Sequence, residues 1–173
     1  MIVNYVVTDV KIVEIWSLEE VKNYLRISYE YDDQLIINLM ETAVDFAEKF
    51  TGLSLYQRQI ICNVRNACSK VILKYIPVID IQEVYLLDKN DKRKVTDSFG
   101  YIETENSCLY FMDDYTGEDV QIEYIAGYKN NIPRSIQHGI LMHVASMYEH
   151  NEDGVTLSSK IRDLYIPYRV IKV

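Results

Sequence analysis

The chain has 173 residues, which by length alone corresponds to about one domain. Hydrophobic side chains make up 49% of it and charged ones 25%, the balance of an ordinary soluble globular protein, so a disordered chain is excluded. No apolar run approaches the roughly 20 residues of a transmembrane helix, and residues 1–7 lack the basic start of a signal peptide. Three cysteines without a CxxC motif indicate neither disulfides nor a zinc site. We therefore expect a reducing cytoplasm and no membrane partner.

The net charge of −8 is unevenly distributed along the chain. Residues 1–55 carry 10 acidic and 4 basic side chains, whereas residues 131–173 carry 4 acidic and 5 basic ones. A protein that grips DNA through its phosphates needs a basic stripe on its surface. The sequence contains no such stripe, so tight binding of nucleic acid is not expected.

Two helices are predicted after an extended lead-in at residues 10–16. Ser17 and Glu20 form a capping box for the first helix, which ends near Arg26. Asp32 is expected to cap a longer helix over residues 33–51, and Gly52 to end it in the left-handed conformation. The inner side of the longer helix follows apolar residues spaced three and four apart: Leu35, Ile36, Leu39, Ala43, Phe46, Ala47 and Phe50.

From residue 56 to residue 128 the apolar period changes to two, which predicts antiparallel strands. The apolar run over residues 79–87 changes phase near Glu83, which predicts a β-bulge. Helical spacing returns after Pro133, with an apolar stripe that contains Ile136, Ile140 and Val144. In the remaining tail, Pro167 would end any helix that starts at Ser158.

These patterns predict an α+β fold in a single domain over residues 1–173. A small helical bundle, made of the N-terminal helix pair and the C-terminal helix, would carry an inserted antiparallel β-sheet or small sandwich. The helical body would take residues 17–52 and 132–151, the β-rich insertion residues 56–128, and the C-terminal tail residues 152–173.

No arrangement of residues predicts catalysis, a cofactor or a bound metal. Glu41, Asp45 and Glu48 lie on one face of the long predicted helix, but the ExxH motif of a di-metal bundle is absent. His138 and His143 are five residues apart and are expected as surface or rim histidines on different helix faces. Phosphate-binding and nucleophile motifs are absent as well. The acidic helix face is therefore interpreted as a solvated surface.

Four stretches carry a resemblance to a known family. They are Ser17–Ile27 (SLEEVKNYLRI), the long helix that follows Asp32-Asp33 and ends at Phe50-Thr51-Gly52, Tyr124–Tyr128 (YIAGY) with Ile132-Pro133 and a helix ending Tyr148-Glu149, and Leu164–Arg169 (LYIPYR). In order and spacing they resemble the head–tail connector proteins, also called head completion or adaptor proteins, of tailed double-stranded-DNA phages and prophages. Together these stretches span most of the chain.

The resemblance implies a structural role. Copies of such proteins form a ring, typically twelve-fold, beneath the portal at the head–tail junction of the virion, after assembly in the bacterial host cytoplasm. The ring extends the DNA channel and presents a surface to the tail or stopper protein, without catalysis or cofactors. Glu41, Asp45 and Glu48 become candidates for the channel or intersubunit surface, and Tyr165, Tyr168 and Arg169 for a docking tail. Carboxylates along a channel would let DNA slide without sticking.

Three alternatives stay open at this point. The first is a different phage ring adaptor or stopper, although those are usually dominated by β-structure. The second is a small hydrolase or metal enzyme, which predicts a pocket where the histidines and carboxylates converge. The third is a monomeric module that binds peptides by strand addition at an open sheet edge.

Overall fold

A computed structural model describes residues 1–12, 14–88, 91–95, 99–102, 107–111, 115–129, 131–149 and 157–170. The chain divides into two compact units, each built from separate stretches of sequence. Among the described residues, the β unit is built from stretches within 1–12 and 56–129, and the helical unit from stretches within 14–55 and 131–170. The predicted α+β class is confirmed. The division into one domain with a helical body, insertion and tail stays a prediction.

The β unit contains two antiparallel sheets. The five-stranded sheet has the order β1-β2-β8-β4-β5 and the three-stranded sheet has the order β3-β7-β6, where the strands are β1 (Ile2–Lys11), β2 (Gln57–Arg65), β3 (Lys70–Ile72), β4 (Val78–Asp88), β5 (Asp91–Lys94), β6 (Phe99–Ile102), β7 (Cys108–Phe111) and β8 (Asp119–Ala126).

The core of the β unit follows the two-residue period of its strands. In β8 every second residue is buried, and the same alternation runs through the second half of β2. The buried side chains of the two sheets include Ile60, Cys62, Val64, Val71, Leu73, Val84, Leu109, Val120, Ile122 and Tyr124. The hydroxyl of Tyr5 donates to the carbonyl of Ile72 at 2.9 Å, and the amide of Tyr75 donates to the hydroxyl of Tyr124 at 3.4 Å. These bonds join the five-stranded sheet to the segment at the end of β3.

Two features of the strands differ in how well the sequence predicted them. The expected bulge is confirmed, because the register of β4 against β8 shifts between Ile81 and Glu83. Strand β1 was not predicted, since only residues 10–16 were expected to be extended. It pairs with β2 from Ile2 opposite Arg65 to Lys11 opposite Gln57. Its partner is more than 40 residues away in sequence, so no local turn signal announces the pairing.

The helical unit contains α1 (Leu18–Leu25), α2 (Asp33–Thr51), α3 (Arg134–Glu149), α4 (Ser159–Tyr165) and a short 3-10 helix (Ile166–Tyr168). The capping box is confirmed: the Ser17 hydroxyl accepts from the amide of Glu20, whose carboxylate accepts from the amide of Ser17 at 2.8 Å. Gly52 ends α2 with a φ of 77°, as predicted. No described helix is both long and apolar enough to cross a membrane.

Asp32 is the N-cap residue of α2, as predicted, but the side-chain cap expected at this position is absent. Its side chain makes no capping hydrogen bond. Instead the hydroxyl of Tyr148, at the end of α3, donates to Asp32 Oδ2 at 2.6 Å. The carboxylate is thus engaged by another helix and is not directed at the amides of its own first turn.

The core of the helical unit lies between α2 and α3. Leu35 departs from the predicted inner stripe of α2, because 46% of it is exposed. Helix α3 begins one residue after Pro133, whose carbonyl accepts from the amide of Gln137 at 3.1 Å. The buried residues of the two helices include Ile36, Ala43, Val44, Ala47, Ile136, Ile140, Val144 and Met147. The predicted boundary between helical body and tail, at residues 151 and 152, lies outside the described residues.

Two glycines of the β unit differ in how closely the backbone of another segment approaches them. Gly127 has a φ of 113°, and a Cβ there would lie 2.2 Å from the carbonyl oxygen of Tyr56. Gly117 has a φ of 90°, but a Cβ there would meet nothing within 4 Å. We expect Gly117→Ala to lower the free energy of unfolding by about 1 kcal/mol through backbone strain alone, and Gly127→Ala by about 3 kcal/mol. Urea unfolding of both variants measures the difference, and equal losses would contradict the close approach.

Candidate assembly surfaces

The acidic face of α2 is divided between two environments. Glu41 and Asp45, one turn apart, are exposed on the outer side of the helix. The side of the helix that packs into the helical unit carries Ala43, Val44 and Ala47, which are buried. The two carboxylates lie outside this buried side and remain in water. Two charges of one sign on adjacent turns give this part of α2 a negative outer surface.

Glu48 has a different environment from the other two acids. Its Oε1 accepts a hydrogen bond of 2.7 Å from the amide of Leu55, in the segment that follows the helix. The hydroxyl of Thr51, the last residue of α2, donates to the carbonyl of Ala47 and accepts from the amide of Leu53. Glu48 therefore satisfies a backbone amide beyond the helix end. The sequence showed that the three acidic residues share one helix face. It did not show that Glu48 would accept a hydrogen bond from the amide of Leu55.

The histidines and carboxylates do not converge on one site in the described structure. His138 is exposed, whereas His143 is buried, with its ring edge-on to Phe46 at 5.2 Å between centroids. The expectation of a surface or rim position is therefore wrong for His143. The reason is that residue 143 lies three residues after Ile140 and four before Met147, on the buried side of α3.

An open groove of about 580 Å³ lies between α1, α3 and α4. Its lining residues are Tyr24, Leu25, Arg26, Met142, Ala145, Ser146, Glu149, Ser158 and Ile161. The groove thus contains one carboxylate and no histidine. No group of three or more His, Cys, Asp or Glu side chains that could hold a metal ion occurs within the described ranges.

The C-terminal segment folds back on its own helical unit. The Ser158 hydroxyl accepts from the amide of Ile161, which starts α4 at the predicted place. Tyr165 is fully buried, and its ring lies so close to α3 that a Cβ on Gly139 would stand 2.4 Å from it. Burial raises the pKa of the Tyr165 hydroxyl. The amide of Val170 donates to the carbonyl of Thr51 at 2.7 Å, which fixes the end of the segment beside α2.

The three residues of the predicted docking tail therefore have different environments. Tyr165 anchors the segment inside the helical unit, where a partner cannot reach it in this conformation. Tyr168 is half-buried and Arg169 is exposed, with its guanidinium 5.5 Å from the centre of the Phe50 ring. Docking by the tail stays a prediction, and Tyr168 and Arg169 are the members that a partner could contact.

An aromatic segment between α1 and α2 was missed by the sequence analysis. Tyr31 is 94% exposed, and Tyr29 is exposed beside it. The hydroxyls of Tyr29 and Tyr148 lie 3.0 Å apart, and the hydrogen bond to Asp32, followed by that to Tyr29, raises the pKa of Tyr148. The signal was two tyrosines in a short acidic stretch between two predicted helices. Exposed tyrosines are frequent in protein interfaces because they combine apolar area with a polar end.

Strand β1 is a second surface that the sequence did not predict. It forms one edge of the five-stranded sheet, and its exposed residues include Ile2, Val6, Val7 and Val10. The signal was a run of β-branched residues at the start of the chain, which is typical of a strand.

Comparison with known proteins identifies a family. A family model described as "head completion protein" matches residues 14–159, which is most of the chain. This match confirms the resemblance predicted from the four sequence stretches. The search of curated proteins finds no match.

Three solved structures of gene transfer agent (GTA) particles share the fold. The chain is similar over 100% of its length, and over 97% of theirs, to chains in the neck of an empty GTA particle computed with C6 symmetry, the virion of a native GTA particle, and the neck of a native GTA particle computed with C12 symmetry. Their TM-scores are 0.76, 0.72 and 0.70, with sequence identities of 17%, 17% and 18%. At these identities the likeness establishes the shared fold.

The contrast between Glu48 and its neighbours generates a prediction. We expect Glu48→Ala to lower the free energy of unfolding of the helical unit by about 1–2 kcal/mol, because the amide of Leu55 loses its acceptor. Glu41→Ala and Asp45→Ala, on the exposed part of the same face, should change it by less than about 0.5 kcal/mol. Urea unfolding followed by helical circular dichroism measures all three. A loss shared by the three variants would mean that Glu48 has no special structural role.

Proposed function

Because the chain belongs to the head completion protein family, we propose that it is the ring-forming subunit of a phage head–tail connector. In this proposal the ring docks under the portal, extends the DNA channel and joins the head to the tail or its stopper protein. The family match over residues 14–159 carries the proposal, because it includes most of both compact units. The working place is the head–tail junction of the virion, after assembly in the bacterial host cytoplasm.

A ring of twelve copies agrees with the similar structures. The necks of the GTA particles were computed with C6 and with C12 symmetry, and a twelve-fold axis contains the six-fold one. Closed rotational symmetry of this kind uses a heterologous interface, in which one surface of a copy meets a different surface of the next. The proposal therefore requires two distinct contact surfaces on each chain.

The acidic outer side of α2 suits a wall past which DNA moves. Glu41 and Asp45 are exposed and would repel phosphates, so the duplex would pass without being held. The net charge of −8 and the lack of a basic stripe in the sequence support passage without sequence-specific binding. We assign Glu41 and Asp45 to the channel surface. Glu48 is not assigned to it, because its carboxylate binds the backbone amide of Leu55.

The proposed role is structural and requires no catalytic step or cofactor. It is supported by the family and by the groove of the helical unit, where a single carboxylate stands without a histidine. Nucleophilic and acid–base catalysis both need such groups to face one another at hydrogen-bonding distance.

Electron microscopy of the purified protein, alone and mixed with the portal protein, tests the proposed function. We expect rings, or added density stacked on the portal, because a head completion protein must bind the vertex that the portal occupies. The control is the portal alone under the same conditions. Absence of both free rings and portal-bound density would contradict the proposal; portal-bound density without free rings would support it, since the portal can template assembly.

Charge reversal tests the channel surface separately. We expect Glu41→Lys combined with Asp45→Lys to leave the fold and the ring intact but to reduce the titre of infectious particles by about ten-fold or more, because lysines hold phosphate. The matched control, Glu30→Lys with Asp163→Lys, makes the same change in charge at two other exposed positions of the helical unit. An unchanged titre, or an equal loss in the control, would remove Glu41 and Asp45 from the channel.

A further inference from the structure

Asp32 stands at the start of α2 but does not use its side chain there. Within the described ranges, no protein group accepts a hydrogen bond from the amides of Gln34 and Leu35 in the first turn of that helix. Two other helices of the same unit, α1 and α4, have serine N-caps, Ser17 and Ser158, whose hydroxyls accept from their own first turns. Aspartate is among the favoured capping residues, so Asp32 could do the same for α2.

The backbone of Asp32 also differs from that of the two serines. Ser17 and Ser158 are extended, with ψ values of 153° and 159°, whereas Asp32 has a ψ of 7°. An extended N-cap residue directs its side chain back at the amides of the first turn. The conformation of the two serines is therefore a second arrangement that Asp32 could adopt by rotation about ψ.

The side chain of Asp32 is held by two tyrosines instead. Tyr148 Oη donates to Asp32 Oδ2 at 2.6 Å, and Tyr29 Oη lies 3.0 Å from Tyr148 Oη. Because the one proton of the Tyr148 hydroxyl goes to the carboxylate, Tyr29 must be the donor in the second bond. The two bonds therefore run from Tyr29 through Tyr148 to Asp32, and they tie the α1–α2 loop to the end of α3.

The exposed part of the α1–α2 loop is short and is fixed on both sides. Before it, Ile27 is buried, and its amide donates to the carbonyl of Lys22 at 2.9 Å. After it, Asp33 Oδ1 accepts from Lys22 Nζ at 2.6 Å. Residues 28–31, between these two points, are all exposed. A change of backbone conformation can therefore be confined to this stretch and Asp32, while α1 and α2 stay in contact.

We propose that Asp32 is the switch of a two-state α1–α2 loop. In the held state, which is the state in this structure, its carboxylate accepts from Tyr148. In the released state the same carboxylate caps α2 through the amides of Gln34 and Leu35, and residues 28–31 move away from α3. A bond from a hydroxyl to a carboxylate and a side-chain cap are of similar strength, so the exchange has a small net cost.

The switch controls the position of the exposed tyrosines. Tyr29 and Tyr31 belong to the moving residues, whereas Tyr148 belongs to α3, so release separates Tyr29 from Tyr148. A molecule that binds the loop tyrosines better in one state shifts the loop to that state, in proportion to its difference in affinity. The loop can thus adjust to a contact while α2 keeps its stability, because a cap replaces the lost bond.

Removal of one hydroxyl group tests the switch. In Tyr148→Phe the carboxylate loses its donor, so we expect Asp32 to cap α2 and hydrogen exchange of the Gln34 and Leu35 amides to slow about five-fold. NMR spectroscopy at residue resolution measures the exchange. The matched control is Tyr29→Phe, which removes the other hydroxyl and leaves the bond from Tyr148 to Asp32 in place. In this control the two amides should exchange at the wild-type rate.

A second comparison distinguishes a switch from a static hydrogen bond. Asp32→Ala and Tyr148→Phe both remove the bond between the two residues, but only Tyr148→Phe leaves a carboxylate that can cap α2. We therefore expect the melting temperature to fall less in Tyr148→Phe than in Asp32→Ala. The slower exchange of the Gln34 and Leu35 amides should disappear when the two substitutions are combined.

The opposite results are equally definite. Exchange in Tyr148→Phe that is as fast as in the wild type, or faster, would overturn the inference, because the freed carboxylate would then not cap α2. Slower exchange that persists in the double variant would overturn it too, since another group would be the acceptor. Equal melting temperatures of the two single variants would show a static bond. The proposed ring function is unaffected by these results, because electron microscopy with portal tests it separately.

Discussion

The central position of β8 is the constraint on which the β unit depends. This strand pairs with β2 on one side and with β4 on the other, and every second residue along it is buried. Because side chains alternate between the faces of a strand, the register of β8 determines which residues of both neighbours enter the core. With β2, β8 and β4 in the middle, β1 and β5 necessarily become the edges. The two edges differ in chemistry, because β1 exposes apolar side chains whereas β5 contains two lysines and an arginine.

The helical unit depends on a comparable close contact. Tyr165 packs onto α3 at Gly139, where any side chain would overlap its ring. This contact and the bond from Val170 to Thr51 hold the C-terminal segment against α3 and α2. The buried sides of α2 and α3 are thereby covered, and the charged residues of α2 remain outside. A segment that reads as a free tail in the sequence is in fact part of the core of its unit.

The chain belongs to the head completion protein family and shares its fold with chains of gene transfer agent particles. The exposed features that a partner could contact are the acids of α2, the tyrosines between α1 and α2, and the apolar residues of β1.

The sequence alone determined the features that depend on local physics. Capping at Ser17, the left-handed stop at Gly52, the bulge near Glu83 and the stripe of α3 follow from neighbouring residues, and the order of four such stretches was enough to identify the family. Tertiary structure decided the rest. The side-chain partner of Asp32 could not be predicted because that partner, Tyr148, is over 100 residues away. The burial of Tyr165 and the pairing of β1 likewise depend on which distant segment arrives beside each residue. The hydrophobic period specifies that a surface must be covered, but only the assembled fold specifies what covers it.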